Sequence, residues 1–330
     1  TELWNKELNR VRISGGTDDE KTIFYTAMYH TMIDPRIYTD VDGRYVGGDY
    51  KIHTADSTFT KRTIFSGWDV FRSQFPLQTI INPRLVSDEL NSLITMADQS
   101  GREYYERWEL LNSYSGCMLG NPALSVLADA YIKGIRTYDA EKAYRYAINT
   151  SRRFGNDSLG YAPEPLSIST TLEYAYTDWC ISQLAKAMGK EDDAKCFYEK
   201  GQAYHHIFDK ELGFARPRYK DGSFKKEFDA LQTYGEGFIE GNSWNFSFHV
   251  PHDVFGMMKC MGGEKEFLRK LDELFGMHLP EVYYKDNEDI TADCLIGGYV
   301  HGNEPSHHIP YLYAWTSQPW KTQYWVREIM

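Results

Sequence analysis

The segment HGNEPSHH at residues 301–308 gathers side chains that can bind a metal ion or a sugar. Asn303 and Glu304 are adjacent and offer hard oxygen ligands, which Ca²⁺ takes in sets of about six to eight. His307 and His308 are also adjacent, so on a helix they point about 100° apart and are poorly placed to share one Zn²⁺. A structural alternative stays open, in which one histidine lies in the core and the other hydrogen-bonds a loop.

A second segment, IEGNSWNFSFHVPHD at residues 239–253, places Glu240 beside an isoleucine and close to several aromatic residues. A carboxyl group in apolar surroundings can stay protonated near neutral pH, which a general acid requires. A glutamate that caps a helix or forms an ion pair has the same local sequence, and spacing alone favours that alternative.

A third segment, SGWDVFRSQFPL at residues 66–77, holds Trp68, Asp69 and Arg72 within five positions. Trp68 can offer a stacking face to a sugar ring, and Asp69 can accept hydrogen bonds from two hydroxyls. Asp69 and Arg72 are also spaced to form an ordinary ion pair at a helix start. Only the occurrence of all these segments in separate loops of one chain favours a site.

The composition narrows the class of ligand. The chain has 330 residues, with 47 acidic against 36 basic side chains and a formal net charge of -11. That charge argues against nucleic acid as a partner. We find no apolar run long enough to span a membrane and no signal-peptide pattern in TELWNKELNR. Aromatic residues make up 15% of the chain, and with the acidic charge they are typical of carbohydrate-binding clefts as well as of ordinary cores.

The elements that must position these loops are mainly helices. From residue 83 onward, starts at proline or asparagine and stops at glycine predict one helix after another, in 83–101, 121–139, 139–155, 171–190, 191–208, 262–276 and 318–330. Helix pairs separated by long loops predict an all-α dominated (α/α)-toroid, with a stacked superhelix as the alternative. The first eighty residues are mixed, and the turn signals Asp42-Gly43 and Gly47-Gly48 predict a short β-hairpin there. Since no linker interrupts the chain, we expect one domain over residues 1–330.

Five segments together resemble glycoside hydrolase family 92, and they occur in the family's order along nearly the whole chain. They are SGWDVFRSQFPL, TLEYAYTDWCISQLA, EGNSWNFSFHVPHD, GNEPSHHIPYLYAW and QPWKTQYWVREIM. Members are calcium-dependent, inverting exo-α-mannosidases, mostly from bacteria that consume N-glycans. The resemblance implies an (α/α)6 barrel, a hydrolase that acts on mannose-containing oligosaccharides, and a periplasmic or secreted location. The family's preceding β-sandwich domain does not occur in this chain.

The resemblance also implies roles for individual residues. Glu240 matches the general acid, while Asn303 and Glu304 match the calcium and sugar segment. We expect Asn245, where the family often has glutamine, to be a further metal ligand. The expected sugar-binding residues are Trp68, Asp69, Arg72, Trp244, His307 and His308.

Two departures from the family pattern limit these expectations. Thr177 stands where the family usually has an acidic residue. The family's base aspartate follows the last helix, so we expect it beyond Met330 and expect the barrel within residues 1–330 to be incomplete. Two alternatives remain at this level: another (α/α)6 glycosidase of the glucosidase or trehalase type, and a non-catalytic glycan-binding domain.

Overall fold

The computed structural model describes residues 1–55, 57–156, 158–233, 235–285 and 295–330. The chain divides into two compact units, each with its own buried core. The first unit is Thr1–Arg153 with Ala187–Gly189, and the second is Phe154–Lys186 with Lys190–Met330. Among the helices in these stretches, none is long and apolar enough to cross a membrane.

The first unit is mainly helical. Its helices are α1 (Glu2–Leu8), α2 (Asp18–His30), α3 (Gly67–Val70), α4 (Gln74–Ile81), α5 (Pro83–Gln99), α6 (Pro122–Ile132) and α7 (Ala140–Arg153). α5 packs against α4, α6 and α7. Pro83 suits the first turn of α5 because an N–H there has no helical partner to lose. Val86, Leu90, Leu93 and Ala97 recur at helical spacing and are buried, so they form the core face of α5.

Short antiparallel strand pairs connect these helices. β1 (Arg36–Ile37) pairs with β4 (Arg62–Thr63), β2 (Arg44–Val46) with β3 (Ile52–Thr54), and β5 (Glu109–Leu110) with β6 (Ser113–Tyr114). The β2–β3 pair, which turns through Gly47-Gly48, confirms the predicted hairpin. The N-terminal part is β-rich only between residues 36 and 63, because α1 and α2 precede it. α1 has no buried residue and α2 buries only Met28.

The core of the first unit contains the ionisable residues Lys61, Glu89 and Glu109, which together with Asn112 we call the charged core cluster. The Glu109 carboxylate accepts hydrogen bonds from Thr63 Oγ1 at 2.6 Å, from the N–H of Ile64 at 2.7 Å and Phe65 at 3.2 Å, and from the N–H of Asn112. Both of its oxygens are therefore engaged by donors that the fold supplies.

Lys61 and Glu89 complete the charged core cluster and are 2% and 1% exposed. Lys61 Nζ donates to Asn112 Oδ1 at 2.8 Å and to the carbonyl of Ser92 at 3.2 Å. Burial lowers the pKa of Lys61 to about 8, against the attraction of Glu109 and Glu89. Burial, followed by repulsion from Glu109, raises the pKa of Glu89 to about 8. Glu89 is thus held largely protonated near neutral pH.

The second unit contains the remaining helices: α8 (Ser167–Ala187, whose last residue belongs to the first unit), α9 (Glu191–Lys200), α10 (Ser243–Phe246), α11 (Val254–Cys260), α12 (Glu264–Gly276) and α13 (Trp320–Ile329). Strand β7 (Phe208–Asp209) pairs with β8 (Phe214–Ala215), and β9 (Leu295–Ile296) with β10 (Tyr299–Val300). α8 is largely buried and carries Glu173, Thr177 and Asp178 into the core.

The helices predicted from residue 83 onward are confirmed, with local differences. The segment 191–208 is split, because α9 ends at Lys200 and only a 3₁₀ turn follows at Ala203–His206. The segment 301–315 forms two 3₁₀ turns, at Glu304–Ser306 and at Ile309–Trp315. The turn at Glu304–Ser306 packs against α10. The helix-rich fold class is therefore confirmed, and the ring arrangement of the helices stays a prediction.

Candidate active site

Two loops of the second unit bring Glu240 and Asn303 into direct contact. Asn303 Nδ2 donates a hydrogen bond to Glu240 Oε2 at 2.7 Å. Asn303 is 4% exposed, and Glu240 is partly exposed. The sequence placed these residues 63 positions apart, and the structure joins the predicted acid to the predicted metal segment.

The backbone around Gly241 sets the direction of the neighbouring side chains. Gly241 has φ +70°, and a Cβ there would lie 3.6 Å from Asn303 Oδ1 and 3.7 Å from Asn245 Cβ. Asn242 caps α10, because its Oδ1 accepts the N–H of Asn245 at 3.2 Å. Asn245 and Asn303 therefore flank the same small space beside Glu240.

The amide oxygens of Asn245 and Asn303 are buried and have no hydrogen-bond partner among the described residues. Their nitrogens are engaged, by the Gly298 carbonyl at 3.4 Å for Asn245 and by Glu240 for Asn303. A buried acceptor without a donor costs about 1–3 kcal/mol, so such pairs of atoms are typical of places where a ligand or ion binds.

This donor set fits a hard cation such as Ca²⁺, which prefers carboxylate and amide oxygens. Glu304 follows Asn303 directly and starts the 3₁₀ turn at Glu304–Ser306. In the part of the chain that the structure describes, no group of three or more histidine, cysteine or acidic side chains is placed to hold a metal ion. The candidate ligands here are chiefly amides, and the metal assignment stays a prediction.

His307 and His308 are held by different backbone carbonyls. His307 Nε2 lies 2.9 Å from the carbonyl oxygen of His301, and His308 Nε2 lies 2.7 Å from that of Phe248. Since a carbonyl oxygen can only accept, each Nε2 carries a proton. This fixes the tautomer of the neutral rings, with Nδ1 as the acceptor nitrogen. The adjacent rings thus serve separate contacts, in agreement with the argument against a shared zinc ion.

Trp244 is positioned by packing in the second unit. Its ring lies 4.6 Å from that of Phe214, and Lys270 Nζ lies 3.5 Å from the centre of the Phe214 ring. Burial lowers the pKa of Lys270 to about 8. The indole is partly exposed, so part of its surface can contact a ligand.

In the first unit, Trp68, Asp69 and Arg72 lie together around α3. Trp68 is 1% exposed, and the Arg72 guanidinium lies over its ring at 4.8 Å. Arg72 Nε also donates to the Trp68 carbonyl at 2.9 Å. Asp69 accepts hydrogen bonds from Ser66 Oγ and, at 3.3 Å, from Trp108 Nε1. Trp108 was missed in the sequence because no local pattern links positions 39 apart.

The predicted residues therefore form two groups. One group lies in the second unit and contains the contact between Glu240 and Asn303, and the other lies in the first unit around Asp69. Two further residues of the second unit, His249 and Ser306, were not predicted from the sequence. Their buried polar atoms lack partners among the described residues. Their one available signal was a polar residue inside a buried segment.

Comparison with known proteins identifies the family of this chain. A sequence profile of the glycosyl hydrolase family 92 catalytic domain matches residues 1–330. A solved family GH92 α-mannosidase of Bacteroides thetaiotaomicron is 36% identical, with a TM-score of 0.91 over 99% of this chain and 44% of that protein. It has also been solved in complex with mannoimidazole.

Two further relatives agree. A family GH92 inverting mannosidase of the same bacterium is 34% identical, with a TM-score of 0.86 over 99% of this chain and 47% of that protein. An uncharacterized secreted glycosidase of Arthroderma benhamiae is 26% identical over 247 residues, which are 61% of this chain and 29% of that protein. The chain spans less than half the length of each of these proteins. It belongs to glycosyl hydrolase family 92.

Proposed function

We propose that the protein is an exo-α-mannosidase, which removes terminal α-mannose from glycans by hydrolysis with inversion, and that Glu240 is its general acid. Family membership and the two related mannosidases support the reaction class. The observation that carries the assignment is the 2.7 Å hydrogen bond from Asn303 to Glu240, beside two buried amide oxygens without partners.

The hydrogen bond orients the carboxyl group of the acid. Asn303 Nδ2–H donates to Glu240 Oε2, which therefore acts as the acceptor. The protonated carboxyl group of Glu240 would donate its proton to the glycosidic oxygen as the bond to the sugar breaks. Proton donation of this kind contributes about 10²–10⁴-fold to a rate. In an inverting hydrolase, a water molecule attacks from the opposite face of the sugar.

Asn245, Asn303 and Glu304 would hold the Ca²⁺ ion. When bound, the ion would orient hydroxyl groups of the mannose and offset developing charge. These residues fit the role because both amide oxygens are buried without a donor, and an oxygen ligand set suits this ion.

The remaining predicted residues would bind the terminal sugar. Trp244 would contribute a ring face, while His307 and His308 would accept hydrogen bonds from sugar hydroxyls at Nδ1. In the first unit, Asp69, Trp68 and Arg72 would also contact sugar, with Asp69 oriented by Trp108. In this role Trp68 would act mainly by packing under Arg72, since it is 1% exposed.

The wider setting is part of the same proposal. We infer that residues 1–330 belong to one (α/α)6 catalytic domain, whose base lies outside the residues assigned here. N-glycans are the substrate class and a bacterial periplasm or the exterior is the location. The secreted relative supports the location, and the mannoimidazole complex of the related enzyme supports recognition of mannose.

Replacement of Glu240 by glutamine in the full-length protein tests the acid. We expect kcat to fall by about 10²–10⁴-fold on mannosides with poor leaving groups and far less on aryl mannosides, which need little protonation. Unchanged turnover of both substrates would remove the assignment. A panel of aryl α-glycosides distinguishes a mannosidase from a glucosidase-type enzyme, and mannose binding without turnover would indicate a non-catalytic domain.

Chelation tests the metal separately. Treatment with EDTA should abolish hydrolysis, and added Ca²⁺ should restore it, because the ligand set is built of hard oxygens. Full activity in the chelator would contradict the calcium assignment and leave the assignment of Glu240 in place.

A further inference from the structure

His249 is a buried imidazole that the proposed mechanism does not use. It is 2% exposed, and neither ring nitrogen has a hydrogen-bond partner among the described residues. Phe246 and Phe248, which precede it in the same segment, are fully buried. Two unpaired nitrogens each cost about 1–3 kcal/mol, so phenylalanine would pack at position 249 at lower cost. The nitrogens of His249 therefore indicate a role other than packing.

The charged partner of the His249 ring is Glu173 of α8. His249 Nε2 lies 3.5 Å from Glu173 Oε1, and both side chains are almost fully buried. This separation is slightly longer than a direct N–H···O hydrogen bond, so a shift of a few tenths of an ångström closes it. A buried carboxylate facing an imidazole selects the nitrogen that carries the proton and the orientation of the ring.

The other contacts of His249 reach both sides of the candidate site. Its ring lies edge-on to His308 at 5.6 Å and to Phe246 at 6.1 Å. Phe246 directly follows Asn245 in α10. His308 also bonds to the carbonyl of Phe248, so residues 248 and 249 together hold its ring. His249 therefore packs between the segment that carries Asn245 and the segment that carries His308.

We propose that His249, oriented by Glu173, is a positioning residue of the candidate site, which fixes the His308 ring and α10 relative to each other. This inference rests on the proposed function, in which His308 and Asn245 bind sugar and ion. His249 touches neither ligand and acts only through its neighbours. Loss of such an outer partner typically costs about 10–100-fold in activity or metal affinity.

The kinetic test uses the full-length protein with His249→Phe, Glu173→Gln and the double variant. His249→Phe keeps the ring and removes both nitrogens. We expect its kcat/KM on an aryl α-mannoside to fall by about 10–100-fold. The double variant should be no worse than His249→Phe, because Glu173 acts through the imidazole. Additive losses would overturn the pairing.

His252→Phe is the matched control, because His252 is a partly buried histidine of the same loop. Its Nε2 lies 2.8 Å from the Gly201 carbonyl, so its replacement should lower stability and leave kcat/KM unchanged. An equal loss of kcat/KM in both variants would show that His249 acts only through packing and would overturn the inference.

A second readout does not depend on activity. We expect the ¹⁵N signals of the His308 ring to report an Nε2–H tautomer in the wild-type protein and to change in His249→Phe. Unchanged His308 signals would overturn the inference, whatever the kinetics. If the wild-type protein hydrolyses no mannoside and the signals still change, the proposed function fails and the positioning role stands.

Discussion

The hydrogen bonding around the carboxylate differs between two polar regions of this protein. In the charged core cluster, Glu109 accepts donors at both oxygens, and these come from the chain itself. Beside Glu240, which accepts a hydrogen bond from Asn303, the fold leaves the Asn245 and Asn303 oxygens without partners among the described residues. A carboxylate with donors at both oxygens, such as Glu109, has no acceptor left for a ligand, whereas the unpaired buried amide oxygens beside Glu240 are available to bind one.

The same substitution at both carboxylates should therefore have different consequences. Glu109→Gln places an amide nitrogen against backbone N–H groups, and we expect it to lower the free energy of unfolding by about 3–5 kcal/mol. Urea denaturation measures this change, and kcat per folded molecule should not change. Glu240→Gln should instead reduce kcat and leave stability nearly unchanged. A stability loss at Glu240 as large as that at Glu109 would break the comparison.

A second prediction concerns the unpaired oxygens. Asn303→Ala removes a buried acceptor without a donor together with the donor to Glu240. We expect kcat/KM on mannosides to fall by about 10–100-fold, with a thermal midpoint equal to or slightly above that of the wild type. Calorimetry and steady-state kinetics on the same preparation check both parts. A large drop in the midpoint would mean that Asn303 stabilises the fold as Glu109 does.

A smaller effect is expected from Glu89, the member of the charged core cluster whose Oε2 has no partner among the described residues. Its pKa is raised from 4.5 to about 8, chiefly by burial, so the folded protein binds this proton more tightly than the unfolded chain. Its contribution to stability is therefore complete below pH 4.5 and is lost as the pH rises to about 8.

Glu89→Gln should remove that dependence, because glutamine does not titrate. Between pH 5 and pH 6.5, the wild-type protein should lose about 2 kcal/mol of unfolding free energy relative to the variant. Denaturation curves at several pH values measure the difference. A constant difference across this range would show that Glu89 is not protonated in the folded protein.

The sequence predicted the elements whose ends are encoded locally. Pro83 and Pro122 start helices in the structure as expected, and Gly101 follows the end of α5. α1 and α2 were not predicted, and only Met28 of their residues is buried. In the candidate site, the motif residues were found from resemblance. Their contacts were not, because Asn303 with Glu240 and Trp108 with Asp69 join loops that no local spacing relates.

The hydrogen bonds of Glu109 have a consequence for the order of folding. Its donors lie in residues 63–65 and at Asn112, so the carboxylate must stay hydrated until two segments about 45 positions apart meet. Partial docking of the two segments would remove the Glu109 carboxylate from water before the N–H groups are in place, which is costly. The two segments should therefore gain protection from amide hydrogen exchange together, as a single cooperative unit of the first half of the chain.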